Sequence, residues 1–203
     1  MASNFLYRAW FDYRRKKNAS EWLKKRKEQL PIPPYIKENS LRYYTAKYAP
    51  RILIETGTCW GEMVLALQKT FLKIYSIELS PQLYEFCRCR FSRLKHITII
   101  NGDSGRLLPK ILADINERCI FWLDAHYSGG PTARGDCDTP IVKELETIAS
   151  HCIKNHVVLI DDANEFGGKG QYPSIDFVKQ FVSKRMPAAV EVSDNIIKII
   201  PVS

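Results

Sequence analysis

This 203-residue sequence predicts an α/β fold, a mainly parallel sheet with helices on both faces, behind a basic helical extension. Three observations carry the prediction. Short apolar runs alternate with amphipathic stretches of about ten residues, the pattern of strands joined by crossover helices. The last two apolar runs, Val190–Val192 and Ile196–Ile200, flank Ser193-Asp194-Asn195, a hairpin signal that adds an antiparallel strand. Charge is segregated: residues 1–50 hold 12 Lys/Arg against 4 Asp/Glu, whereas residues 51–203 hold 18 of each. The net charge of +8 therefore belongs to the first quarter, and the chain divides into a basic extension, 1–50, and an α/β unit, 51–203.

In the extension, Phe5, Leu6, Ala9, Trp10 and Tyr13 recur at helical spacing, followed by Trp22 and Leu23 with Lys and Arg between them. Pro31-Ile32-Pro33-Pro34 ends this stretch, because proline removes a donor and restrains the residue before it. A second helix is expected over 36–48, before Pro50. Ile52–Glu55 then reads as a buried strand, 61–70 as a helix and Lys73–Glu78 as a strand. Ser80 caps a helix that starts at Pro81 and runs to about Arg93. His96–Asn101 is the third strand, Ser104–Asp114 a helix that contains Pro109, and Cys119–Asp124 the fourth strand. After a polar loop, Ala125–Thr139, come a helix over 140–150, a strand over 156–161, a helix over 174–185 and the hairpin.

Composition excludes several classes. The chain is 45% apolar and 26% charged, unlike a collagen, a disordered chain or a disulfide miniprotein. No apolar run reaches the roughly 18 residues of a membrane span, and no signal-peptide apolar region is visible. Cys59, Cys87, Cys89, Cys119, Cys137 and Cys152 form no CxxC pair and no zinc spacing, which fits a reduced, cytoplasmic setting. The basic extension suits a solvated helical face, an acidic partner, a membrane surface or nucleic acid.

The segment Glu55-Thr56-Gly57-Thr58-Cys59-Trp60-Gly61 directly follows the first strand. Glycines there let backbone approach a ligand, and the next helix offers free amides, although tight strand–helix bends also use glycine structurally. Cys59 stands where the dinucleotide fingerprint has its second glycine, and the P-loop Gly-Lys-Ser/Thr is absent. Glu78, 21 residues beyond Gly57, ends the second strand, where an acid can accept both hydroxyls of a ribose. The third strand ends in Asn101-Gly102-Asp103-Ser104, and an Asp there can bind an adenine amino group. Glu55, Glu78 and Asp103 thus mark three consecutive strand ends, where open α/β sheets bind ligands.

On these residues the chain resembles the class I S-adenosylmethionine-dependent methyltransferases over residues 51–200. Glu55-Thr56-Gly57-Thr58 with Gly61 looks like their first motif, Glu78 like their ribose-binding acid and Asp103 like their adenine-site acid. The resemblance also assigns Leu79, Ser104 and Asp124 to the cofactor site. It implies a Rossmann-like seven-stranded sheet in the order 3-2-1-4-5-7-6, with strand 7 antiparallel.

The fourth strand ends in Asp124-Ala125-His126 and the fifth in Asp161-Asp162. In the implied order these strands are neighbours, which gathers Asp124, Asp161 and Asp162 at one rim. Three carboxylates so close repel unless protons or a cation relieve them, and an all-oxygen set suits Mg²⁺ first, then Ca²⁺ or Mn²⁺. Either aspartate of the pair also suits a turn cap. This constellation is similar to the metal-dependent sugar O-methyltransferases of the macrocin and novobiocin type. The resemblance gives Asp124 and His126 catalytic roles, His126 as the base that removes a hydroxyl proton; the family's base there can be Asp, so His126 is a departure, and a loop histidine that only hydrogen-bonds locally is the alternative.

The glycine-rich loop Tyr127–Asp136 reads as a substrate lid, with Arg134 or Asp136 as candidate contacts, and Gly167-Gly168-Lys169-Gly170 as a second mobile candidate. His96, His151 and His156 read as structural residues without partners. The expected function is methyl transfer from S-adenosylmethionine to a hydroxyl, assisted by Mg²⁺, on a sugar of a glycan or glycolipid. Association with a glycosyltransferase follows by analogy, and peripheral membrane contact through the basic extension is a further expectation. Two alternatives stand beside it: RNA 2′-O-methylation, and a non-catalytic cofactor-binding module of a glycan-assembly complex. A specific nucleic-acid partner is not expected, because the Lys-Asp-Lys-Glu set of several RNA enzymes is not evident. Asp124-Ala125-His126-Tyr127 replaces the Asn/Asp-Pro-Pro-Tyr/Phe motif of adenine- and glutamine-directed N-methyltransferases.

Overall fold

The structure, a computed structural model, describes residues 13–14, 16–24, 31–125, 139–167 and 171–202. Helix α1 covers residues 16–24. Its Ala19 and Trp22 pack on Ile32 and Ile36, so the proline segment folds back and gives the helix an apolar seat. Helix α2 (Pro34–Tyr48) begins with proline at its first turn, where a missing N–H costs nothing. It ends at Ala49 in the left-handed region, whose amide donates to the Thr45 carbonyl.

Then strands and helices alternate: β1 (Ile52–Thr56), α3 (Glu62–Leu67), β2 (Lys73–Glu78), α4 (Pro81–Phe91), β3 (Ile97–Asn101), α5 (Ser104–Leu112) and β4 (Cys119–Leu123). They continue with α6 (Ile141–Ser150), β5 (Val157–Ile160), a 3-10 turn (Ala163–Glu165), α7 (Ile175–Arg185), β6 (Ala188–Ser193) and β7 (Ile196–Pro201). One seven-stranded sheet results, in the order β3-β2-β1-β4-β5-β7-β6. Strands β1 to β5 pair in parallel, and β7 runs antiparallel to both β5 and β6. The implied order and the antiparallel last strand are both present.

The central strands β1, β4 and β5 are buried along their whole length, as their unbroken apolar runs require in a sheet covered on both faces. On one face Ile52, Ile54 and Phe121 pack with α5, α6 and α7. On the other, Leu53, Ile120 and Trp122 pack with α3 and α4, and α2 joins them through Leu41 and Tyr44. Tyr44 also bonds Glu191 of β6, which ties α2 to the far edge of the sheet.

Most element ends fall within a few residues of expectation. Helix α3 is the shortest relative to its reading: Gly61, at φ 72°, is its N-cap and not its first residue, and the helix stops at Leu67. The hairpin turn is Asp194-Asn195, both at positive φ, the conformation that two-residue hairpins favour and that Asp and Asn tolerate. Cys87 and Cys119 are buried, whereas Cys59, Cys89 and Cys152 are exposed; Cys137 lies outside the described residues.

The reading of the histidines as unpartnered is corrected. His96 Nε2 bonds the Gln68 carbonyl at 2.7 Å. His156 Nδ1 accepts the Cys119 amide at 3.0 Å, so its proton resides on Nε2, 2.8 Å from His151 Nδ1. His151 must then carry its own proton on Nε2, which donates to the Ile115 carbonyl at 2.9 Å. This hydrogen-bond chain needs the His156 ring neutral. Burial, reinforced by His151 and the Arg118 guanidinium, holds His156 down at about 4. Among the described residues no helix is long and apolar enough to cross a membrane.

Candidate functional site

Parallel register brings the carboxyl ends of β3, β2, β1, β4 and β5 to one edge. Thr56 pairs with Ile77 and Leu123, Glu78 with Asn101, and Leu123 with Ile160. The chain leaves β1 at Gly57, at φ 83°, and turns through Cys59, at φ 49°, to Gly61. A Cβ on Gly57 would lie 2.3 Å from the Asp124 carbonyl oxygen, so glycine here permits contact between the β1 and β4 loops. The Asp124 amide donates to the Thr56 carbonyl at 2.9 Å and closes the same junction. A Cβ on Gly61 would meet Phe91 at 2.7 Å, so that glycine serves the packing of α3 against α4.

Glu78 braces this turn. Its Oε2 accepts the Cys59 amide at 2.8 Å and its Oε1 the Ser80 amide at 2.8 Å. Each carboxylate oxygen accepts more than one bond, so both retain capacity for a ligand hydroxyl. Burial raises Glu78 above the usual carboxylate range, and these amides counter it. Its neighbour Leu79 takes the Asn101 side-chain amide on its carbonyl at 3.3 Å.

Glu55 sits below the edge and not on it. It is 1% exposed and accepts a hydrogen bond from Ser76, which in turn meets Thr58 at 2.6 Å. Burial pushes Glu55 up to about 8, with Asp124 and Glu78 adding to the rise. Thr56 and Ser104 are also buried, and their hydroxyls lie beside the carboxyl of Glu144 on α6. Burial pushes Glu144 up to about 7. Asp103 caps α5, accepting the Arg106 amide at 3.1 Å. The candidate cofactor residues therefore divide into groups at the strand ends and the loops that follow them, Gly57, Gly61, Glu78, Leu79, Asp103 and Asp124, and a buried polar floor, Glu55, Thr56, Thr58 and Ser104.

Across the junction stands the acidic triad. Asp124, Asp161 and Asp162 each offer one oxygen, all within 4.8 Å of one another. Two metal–oxygen bonds of roughly 2.0–2.6 Å span such a gap, so the donor set fits a hard divalent cation. The Asp161 amide bonds the Leu123 carbonyl at 3.0 Å, which sets the two strand ends side by side. Asp162 takes the left-handed conformation at φ 52° and is held there by the hairpin. Asn195 Nδ2 reaches its carboxylate at 3.3 Å, and the Asn195 carbonyl accepts the Ala163 amide at 2.8 Å.

Sequence reading missed a fourth member. Lys37 of α2 bonds Asp161 Oδ2 and lies 3.7 Å from Asp162 Oδ1. Burial raises Asp161, as do the Asp124 and Asp162 charges, while Lys37 draws it back. No sequence signal marked Lys37, one of twelve basic residues in a segment whose charge suits a solvated face equally well. Glu144 and Ser76 were likewise not singled out, and Asn195 was read only as a turn residue, since each acts at the site through a contact made only after the chain folds. The base candidate His126, Tyr127–Asp136 with Arg134 and Asp136, and Gly168-Lys169-Gly170 lie outside the described residues.

No family model matches the sequence. No curated protein sequence matches it either. Solved structures do match in shape. The SAH-bound methyltransferase PaMTH1 of Podospora anserina is 14% identical with a TM-score of 0.59, over 97% of this chain and 96% of that one. The O-methyltransferase TomG of Streptomyces achromogenes, involved in tomaymycin synthesis and solved with SAM, is 14% identical with a TM-score of 0.58, over 93% and 89%. An O-methyltransferase from Bacillus cereus, in complex with SAH, is 14% identical with a TM-score of 0.55, over 81% and 80%. At this identity the likeness is one of fold: the chain has the seven-stranded sheet of these methyltransferases.

Proposed function

We propose that this protein is an S-adenosylmethionine-dependent O-methyltransferase whose acceptor is a sugar hydroxyl of a glycan or glycolipid, with a divalent cation held by Asp124, Asp161 and Asp162. The observation that carries the reading is the contact of Gly57 with the Asp124 backbone. It joins the glycine bend and Glu78 on one side to the acidic triad on the other, which supports a nucleoside site and a cation site side by side on one sheet edge. The neighbours solved with SAM or SAH support the choice of cofactor.

In this reading Glu78 accepts the ribose hydroxyls, Asp103 the adenine amino group, and the Gly57–Gly61 backbone lies against the amino acid end. S-adenosylmethionine supplies a methyl already activated on a sulfonium, so transfer is a direct in-line displacement with no covalent enzyme intermediate. The chain contributes mainly alignment, and orientation of two bound reactants is worth roughly 7–11 kcal/mol of barrier. A cation in the triad supplies Lewis acidity toward the acceptor oxygen. His126, two residues beyond Asp124 in the sequence, takes the hydroxyl proton as an imidazole base.

A screen of sugar acceptors with methyl-labelled cofactor, run with and without chelator, tests this. Transfer to a sugar that chelation abolishes is the expected result. Transfer that persists in chelator removes the cation, and binding of S-adenosylhomocysteine without transfer to any hydroxyl removes the O-methyltransferase reading.

A further inference from the structure

The acidic triad already contains a cation supplied by the chain. The Lys37 ammonium bonds Asp161 Oδ2 and stands 3.7 Å from Asp162 Oδ1, on a side chain only 18% exposed. Asp161 Oδ1 accepts the Asp162 amide at 2.9 Å and Oδ2 takes the ammonium, so an incoming ion shares this carboxylate with Lys37. Helix α2 itself is anchored. Ile36, Leu41 and Tyr44 are buried, and Arg42 bonds both Glu38 and the Ala66 carbonyl. The helix backbone is held while the four-carbon stem of Lys37 retains its own rotations.

We propose that Lys37 is a tethered counter-ion of the triad, holding the three carboxylates together without metal and yielding Asp161 to a divalent cation when one binds. The N-terminal extension thereby sets the affinity of the metal site. The proposal rests on the reading of the triad as a cation site. Its logic is charge and space. Three carboxylates and one ammonium leave two negative charges, the number a divalent ion neutralises. An ammonium on the same carboxylate repels that ion, and removing it strengthens binding. Lys37 is a positioning residue here and is given no role at the reacting atoms.

The test is titration of the full chain with Mn²⁺ alone, by calorimetry and by the electron paramagnetic resonance of free Mn²⁺. Wild type, Lys37→Gln and Asp161→Asn are compared. Lys37→Gln is expected to bind Mn²⁺ at least tenfold more tightly than wild type, and to gain more in melting temperature when Mn²⁺ is added. Equal or weaker binding by Lys37→Gln, with binding still lost in Asp161→Asn, overturns the proposal and leaves the cation site standing. Absence of Mn²⁺ binding from wild type and Lys37→Gln alike overturns the cation site and the proposal with it. Where Lys37→Gln unfolds in chelator, refolding on Mn²⁺ addition is the expected result, and failure to refold overturns the proposal.

Discussion

The carboxylate of Glu78 accepts the backbone amide of Cys59 at 2.8 Å, across 19 residues of sequence. The acid that ends β2 is therefore the brace of the turn that leaves β1. On the proposed function, ribose recognition and loop shape would be coupled through one side chain, because both oxygens of Glu78 hold amides, of Cys59 and Ser80.

Replacing Glu78 by Gln sets an NH₂ donor against one of these two amide donors. A buried donor left without an acceptor costs about 1–3 kcal/mol. Glu78→Gln is expected to lower stability by that amount and to weaken S-adenosylhomocysteine at least tenfold. Urea unfolding and calorimetric titration read the two effects separately. A variant that binds the nucleoside as wild type does shows that Glu78 does not face it.

Gly57→Ala meets two obstacles, a φ of 83° and a Cβ 2.3 Å from the Asp124 carbonyl oxygen. A residue with a Cβ costs about 1–2 kcal/mol in the left-handed region, and overpacking roughly 1–3 kcal/mol more. A loss of at least about 2 kcal/mol is expected in urea unfolding, with loss of nucleoside binding as the β1 and β4 loops separate. Gly167→Ala is the control: a Cβ there meets nothing within 4 Å, and the change should stay within about 0.5 kcal/mol. Equal effects from the two substitutions would falsify the contact argument.

The His151–His156 pair predicts acid sensitivity. His156 has a folded-state value of about 4 against an ordinary 6.5, so the unfolded chain binds its proton first as pH falls. Stability is fully present above pH 6.5 and declines between pH 6.5 and 4, by about 3 kcal/mol for this group. Urea unfolding across that range should show the decline in wild type. His156→Phe, which cannot titrate, should start less stable because the Cys119 amide loses its acceptor, and should show a flatter slope. An unchanged slope would assign the acid loss to other groups.

The alternation of strands and helices, the hairpin at Asp194-Asn195 and the glycine bend were legible in the sequence, because each is a local property: periodicity, turn chemistry and a residue type that tolerates positive φ. Glu78 and Asp103 were legible as strand ends for the same reason. Their second duties, bracing Cys59 and capping α5, could be read only from the positions of their neighbours. Glu55 looked like an edge group in the sequence and is a floor group in the molecule, because alternate residues of a strand point to opposite faces and Ser76 meets its carboxyl from β2.

By itself, then, the sequence determined the order of elements and the acids at the strand ends. Tertiary structure decided which of those acids share an edge, and it alone brought Lys37 into the triad, from a helix 124 residues away along the chain. The physical reason is that propensity and periodicity act over a few residues, whereas a charge finds its partner through the packing of Leu41 and Tyr44 that seats α2 against the sheet. No spacing rule encodes that distance.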